Sequence, residues 1–228
     1  MRVRLFAGDE KMKKPIIAPS LLAADSSHFG QAIARVEQAG AKYLHIDIMD
    51  GHFVPNLSFG PNIVAGIRGE SSLYFDVHLM IEYPERYTQA FIDAGADCIT
   101  VHSEAPGDIE SVIGICAENS VGFGISVKPL TSLEAFERYC AQCKMLLIMS
   151  VEPRFGGQKF MPCALEKITQ AKQLREKNGT DFKISVDGGI NLETASLCVA
   201  AGVDILVAGS AVFSSDDPTD AINQLMGI

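Results

Sequence analysis

Three times in 228 residues the chain writes nearly the same phrase: QAGAKYLHID (38–47), DAGADCITV (93–101) and AAGVDILVA (200–208). In each, a glycine closes a helix-like segment and an apolar, strand-like run begins within three residues. Glycine is the residue that ends helices cheaply, because it enters the left-handed region without a Cβ clash. Around these joints the hydrophobic periodicity alternates between two and 3.6 along the whole chain. Strand patterns cover 15–20, 42–48, 73–80, 97–102, 121–127, 144–150, 181–187 and 203–209. Helix patterns cover 26–40, 61–68, 84–95, 108–119, 132–140, 162–179, 191–202 and 218–226. Eight strand–helix pairs with no proline- or glycine-rich linker predict an α/β fold, a single-domain (β/α)8 or TIM barrel over 15–228. A doubly wound sheet is the alternative. It would carry a glycine fingerprint after its first strand, and APSLLAAD (18–25) has none.

Residues 1–14 lie outside this pattern and read as an N-terminal extension, with Met12 a second possible start. They lack the apolar stretch of a secretory signal. The longest apolar runs, such as MLLIM (145–149), are far too short to span a bilayer. A soluble, cytoplasmic protein is expected. The formal charge of −9 argues against a nucleic-acid or anionic-membrane partner. Any anion must therefore be held by a local device. Six cysteines scattered through an apolar chain read as reduced thiols. The Cys140–Cys143 pair has no second pair to complete a zinc site.

In a barrel, chemistry sits at the C-terminal ends of the strands, and strand side chains alternate between interior and helix layer. In the second strand, Leu44, Ile46 and Ile48 form the apolar side, which leaves Tyr43, His45 and Asp47 inward. In the third, Phe75, Val77 and Leu79 face the helices, and Asp76, His78 and Met80 face inward. In the seventh, Asp187 is the last inward residue, above Ser185 and Lys183. Parity thus gathers His45, Asp47, His78 and Asp187 at the mouth. Two imidazoles and two carboxylates suit a divalent metal and would balance its charge. Two buried His–Asp pairs without a metal are the plain structural alternative. Such pairs stabilise poorly against an apolar core, so a site is the stronger reading.

Glycine-bearing turns follow strands six, seven and eight: RFGGQ (154–158), DGGI (187–190) and AGSAVF (208–213). A short helix expected near Ser210 would aim its N-terminus at an anion, where barrels of this class hold phosphate.

Taken in order, APSLLAAD, HIDIMDGHFVPN (45–56), DVHLM (76–80), VEPRFGGQ (151–158) and VDGGI…AGS resemble the signature blocks of the ribulose-phosphate 3-epimerase family. The resemblance runs from about residue 15 to the C-terminus. It implies a barrel of the ribulose-phosphate-binding type with one divalent metal, Zn2+ or Fe2+ foremost and Mn2+ or Co2+ as alternatives. The implied ligands are His45, Asp47, His78 and Asp187, with Asp47 and Asp187 also the acid/base pair. Ser20 and His78 are implied substrate contacts. Arg154, Phe155, Gly156, Gly157, Gly188, Gly189, Gly209 and Ser210 are implied to hold the phosphate end. Met49, Met80 and Met149 are implied near the metal, although methionine is also a common core filler. The implied partner is a ketose phosphate in the pentose phosphate pathway, and the implied assembly a homo-oligomer, dimer or hexamer.

Two residues depart from the family pattern. Arg154 stands where glycine is usual, and Lys128 where asparagine is usual; Lys128 is placed to pair with Glu152 or to alter sugar preference. The implied reaction inverts C3 of D-ribulose 5-phosphate to give D-xylulose 5-phosphate through a 2,3-enediolate. The rivals are a 3-epimerase for allulose 6-phosphate, an aldolase or decarboxylase barrel, and a sugar-phosphate-binding barrel without turnover. A Schiff-base aldolase needs an inward lysine at the mouth, and Lys183 lies too deep. His102 ends strand four with no evident partner, and a structural or supporting role is expected for it. His28 is expected to be exposed.

Overall fold

The computed structural model describes residues 14–153 and 157–228. Eight strands run in parallel: β1 (Ile16–Pro19), β2 (Tyr43–Met49), β3 (Tyr74–Met80), β4 (Cys98–His102), β5 (Gly122–Val127), β6 (Met145–Met149), β7 (Lys183–Asp187) and β8 (Ile205–Ala208). From β2 to β8 each strand pairs with the next, and β1 pairs with β8. The remaining seam, between β1 and β2, is closed by a single parallel bridge from Ser20 to His45. The sheet is therefore a closed (β/α)8 barrel, as the alternating pattern predicts.

Helices cover the outside: α1 (Phe29–Gln38), α2 (Pro61–Arg68), α3 (Thr88–Asp93), α4 (Ile109–Glu118), α5 (Glu134–Glu137), α6 (Cys163–Asn178), α7 (Leu192–Ala201), α8 (Ser210–Phe213) and α9 (Pro218–Met226). The joint glycines Gly40, Gly95 and Gly202 all have φ near +100°. That value is strained for any other residue. The turn that carries each helix back into a strand is thus written by those glycines.

Side-chain parity divides the interior into two cores. Leu44, Ile46, Phe75, Val77, Ile125, Ile184 and their strand-mates pack against the helices. Ala18, Cys98, Met145, Leu147, Met149, Ile205 and Val207 fill the barrel itself. Each fully buried side chain of this size is worth about 1.5–3 kcal/mol of transfer free energy.

Three expected helices are shorter or broken. The 26–40 segment begins as a 3-10 turn, Ser26–His28, and becomes α-helical only at Phe29. Asp25 accepts from the Ser27 amide and fixes that entry. The 84–95 segment splits at Tyr87 into a 3-10 turn and α3. There the Thr88 hydroxyl donates back to the Pro84 carbonyl at 2.9 Å, a bond that bends helices. The 132–140 segment keeps four α-helical residues. Fully buried Phe136 stacks edge-on against Phe182, so one aromatic anchors a segment too short to hold more turns.

Candidate active site

The strand ends deliver the four predicted ligands to one point. One donor atom from each of His45, Asp47, His78 and Asp187 lies within 4.8 Å of the other three. Strand pairing explains the register: His45 sits opposite Asp76, and Asp47 opposite His78. Above this cluster opens a cavity of about 300 Å³. Asp47, Asp187, Met49, Met80 and Met149 form part of its wall, together with Ser20, Gly157, Gly188, Gly189, Gly209 and Ser210. His45 and His78 are fully buried, in the layer below that lining. The structure thus places His78 as a member of the cluster rather than on the cavity wall. Arg154, Phe155 and Gly156 lie outside the described residues, as does the extension up to residue 13.

The loops that shape the mouth are built by their own polar residues. Asp50 accepts from the amides of His52, Phe53 and Glu82, which pins the turn after β2 to the end of β3. Ser58 donates to the Asp47 carbonyl at 2.6 Å and accepts from the Met49 amide. After β7, Gly189 has φ +62°, and a Cβ there would lie 2.5 Å from the Phe160 nitrogen. Only glycine lets the β7 turn meet the 158–160 segment this closely. The expected short helix at Ser210 is α8, and Gly209 and Ser210 at its start face the cavity.

Asp47 is the hub. Its Oδ2 accepts from the Ser20 hydroxyl at 2.8 Å. Its Oδ1 lies 3.2 Å from His45 Nε2 and 3.2 Å from His78 Nδ1. His45 Nδ1 is 2.7 Å from Asp76 Oδ2, and Asp76 Oδ1 accepts from Thr100 at 2.7 Å. A carboxylate only accepts, so Asp76 fixes the proton on Nδ1 and leaves Nε2 facing the cluster. That Nε2 is buried and has no hydrogen-bond partner among the described residues. An imidazole lone pair aimed at an anionic oxygen, and oriented by a carboxylate behind it, is the arrangement of a metal-binding histidine. The residues present therefore fit a divalent cation held by His45, Asp47, His78 and Asp187. Parity had already put Asp76 inside the barrel; its role becomes visible only in the contact with His45.

The electrostatics pull the two carboxylates apart. Burial works to raise the Asp47 carboxyl, but His45 and His78 outweigh it and hold Asp47 well below the usual range. Asp187 keeps some accessible surface on the cavity, yet protein surrounds it closely. Burial first, then the charge of Asp47, push its pKa up to about 7. Burial opposes charge on His45, while Asp47 and Asp76 together hold its pKa well above the ordinary histidine value.

His102 has the partners the sequence did not reveal. Its Nε2 lies 2.9 Å from His78 Nε2 and its Nδ1 3.2 Å from Glu104 Oε2. Burial pushes its pKa down to about 4, although Glu104 opposes the shift. Burial would raise the Glu104 carboxyl, but bonds from His102 and Thr131 hold it at about 2. The Lys128 ammonium sits 4.2 Å over the Phe53 ring rather than on Glu152. Lys183 lines a separate cavity with Tyr43 and Tyr74. His28 is exposed and pairs with Asp25.

A closed barrel with a histidine–carboxylate cluster under a cavity at its C-terminal mouth defines a TIM-barrel enzyme. Solved structures show the same fold at low identity. The crystal structure of 3-hexulose-6-phosphate synthase has a TM-score of 0.66 at 18% identity, covering 94% of this chain and 99% of that one. A tryptophan synthase alpha-subunit from Pyrococcus furiosus has a TM-score of 0.68 at 15% identity, covering 94% and 98%.

Sequence comparison is more specific. The family model described as the ribulose-phosphate 3 epimerase family matches residues 16–213. Ribulose-phosphate 3-epimerase of Bacillus subtilis is 45% identical over 212 residues, covering 92% of this chain and 98% of the relative. The protein of that name from Candida glabrata is 40% identical, covering 93% and 91%. The chain belongs to the ribulose-phosphate 3-epimerase family.

Proposed function

We propose that this chain interconverts D-ribulose 5-phosphate and D-xylulose 5-phosphate by inverting C3. One observation carries the mechanism: Asp47 and Asp187, on β2 and β7, open onto the same cavity with opposite tendencies to hold a proton. The C3 proton is acidic because it lies α to the C2 carbonyl. Inversion requires one group to remove it and a second to deliver a proton to the other face. Asp47, held ionised by two imidazoles, is the base for one direction. Burial and the charge of Asp47 raise the Asp187 pKa in the metal-free protein; Asp187 delivers the proton on the other face, and the roles exchange in reverse.

Ser20 orients Asp47 through its bond to Oδ2, which leaves Oδ1 for the cluster. Gly157, Gly188, Gly189, Gly209 and Ser210 border the end of the cavity suited to the phosphate, and Arg154, Phe155 and Gly156 are assigned to the same role from the family resemblance alone. Met49, Met80 and Met149 keep the reacting end apolar and exclude water. A divalent cation, Zn2+ or Fe2+ foremost, would be held by His45, Asp47, His78 and Asp187 and would supply Lewis-acid stabilisation of the negative charge that develops when the C3 proton leaves. The enzyme acts in the cytoplasm as a homo-oligomer. Lys128 is engaged with Phe53 and does not border the cavity. The relatives carry the name ribulose-phosphate 3-epimerase, so pentose is taken as the preferred substrate, and kcat/KM for ribulose 5-phosphate is expected to exceed that for allulose 6-phosphate.

Turnover of ribulose 5-phosphate in D2O tests the proposal. Deuterium enters C3 of the xylulose 5-phosphate formed. Product without solvent deuterium would exclude the two-carboxylate route.

A further inference from the structure

At the level of the site, β2 has a strand along only one of its edges. His45, Asp47 and Met49 are alternate residues, so their backbone groups leave the strand by the same edge. On that edge His45 meets Ser20 in the single bridge to β1. β1 then turns away: the Ala23 amide donates to the Ser20 carbonyl, and the chain enters a 3-10 turn at Leu21–Ala23. Beside Asp47 and Met49, β1 offers no partner, yet both residues are buried and both line the cavity. Buried backbone groups are costly to leave unpaired, so another part of the chain must meet them.

Ser58 meets them. After β2 the chain loops through 50–56 and returns along this edge, with an isolated antiparallel bridge between Asp50 and Leu57. One residue later the Ser58 hydroxyl donates to the Asp47 carbonyl at 2.6 Å and accepts from the Met49 amide at 2.9 Å. The Ser58 amide donates to the Met49 carbonyl at 3.4 Å. A hydroxyl donates and accepts at once, as the gap between a carbonyl and an amide two residues apart demands. One residue thus does here what a neighbouring strand does elsewhere in the barrel. Asp47 is gripped at both ends, its carboxylate by the Ser20 hydroxyl and its carbonyl by Ser58.

We propose that Ser58 is a positioning residue for proton transfer: it completes the β1–β2 seam beside Asp47 and so fixes the direction in which that carboxylate meets C3. This deepens the acid–base reading given above and rests on it for its kinetic consequence. The seam itself rests on the hydrogen bonds alone. Ser58 stands outside the cavity wall, so its removal leaves the substrate contacts in place.

The test compares Ser58→Ala with Ser58→Thr. Alanine removes both hydroxyl bonds, whereas threonine keeps a hydroxyl on the same carbon. With ribulose 5-phosphate, Ser58→Ala is expected to lower kcat about 10- to 100-fold, up to the loss that a misplacement of about 1 Å brings. KM is expected to stay within about twofold, because uniform binding is untouched. Ser58→Thr is expected to restore kcat. With C3-deuterated substrate, the isotope effect on kcat in Ser58→Ala should be at least as large as in the wild type, since the slowed step breaks the C–H bond. A Ser58 that only stabilises the fold lowers the melting temperature of the alanine variant and leaves kcat at the wild-type value, which overturns the proposal. A lower kcat with a smaller isotope effect overturns it too, because the defect then lies in another step.

Amide hydrogen exchange in the metal-free protein supplies the second readout. The Met49 N–H is expected to exchange about 3- to 10-fold faster in Ser58→Ala, the scale of one lost hydrogen bond, and at the wild-type rate in Ser58→Thr. Unchanged Met49 exchange in Ser58→Ala overturns the seam and the proposal with it. Faster exchange with wild-type kcat overturns the positioning role and leaves Asp47 as the base. Asp47→Asn separates the two readings: normal turnover by that variant overturns the acid–base reading and, with it, the kinetic role of Ser58.

Discussion

Asp187 is the residue whose ionisation the fold alters in a directly testable way. Its pKa is raised from 3.8 to about 7. A carboxyl raised on folding keeps a proton that the unfolded chain has released, so it costs stability as pH climbs from about 4 toward 7. Asp187→Asn removes that cost. In chelator-treated protein its melting temperature is expected to exceed that of the wild type at pH 7 and to match it near pH 4. Each kcal/mol corresponds to about 2–4 °C in a chain of this size. An unchanged melting temperature at pH 7 would show Asp187 to be ionised in the fold. The same substitution, and Asp47→Asn, should each reduce epimerisation by at least about 100-fold, the scale of a lost proton-transfer group. Normal turnover by either variant would remove that residue from the pair. At this scale the sequence was informative where parity sufficed. His45, Asp47, His78 and Asp187 were found because alternation in three strands assigns their side. Asp76 and Thr100 act by contact between neighbouring strands, and strand register is not written in any one segment.

Among the elements, the turn after β7 carries the most specific demand. Gly189 combines positive φ with a close approach to the Phe160 backbone. Gly189→Ala must push the 158–160 segment outward, away from the end of the cavity assigned to phosphate. Steady-state kinetics should show KM for the sugar phosphate raised about tenfold with kcat little changed, the pattern of lost uniform binding. A fall in kcat alone would place the phosphate elsewhere. Strands were more legible than helices for a physical reason. A buried parallel strand is a dense apolar run, whereas the ends of α1, α3 and α5 are decided by single contacts. The Thr88 bond to Pro84, the Asp25 cap and the burial of Phe136 each override a periodicity that continues past them.

At the scale of the molecule, a cation held by the cluster would couple its binding to folding. Zn2+ at a hundred times its dissociation constant should add about 2.7 kcal/mol, or about 5–10 °C in melting temperature. A ligating imidazole nitrogen must be free of its proton, so cation uptake competes with protonation of the cluster histidines. Affinity should therefore weaken about tenfold per pH unit on acidification, for one proton released. Calorimetric titration at two pH values checks this, and pH-independent affinity would rule out that competition. The barrel itself was readable from eight alternating patterns and three glycine joints. Its closure was not, because the β1–β2 seam rests on one bridge that joins Ser20 to His45. That bridge has a consequence for biosynthesis. One of its residues, Ser20, lines the cavity and the other, His45, belongs to the cluster beneath it, whose fourth residue, Asp187, arrives only when β7 emerges. A nascent chain therefore cannot present the complete cluster until most of the barrel has been made. A cation held by all four residues would therefore mark a chain in which β7 has joined β2 and β3.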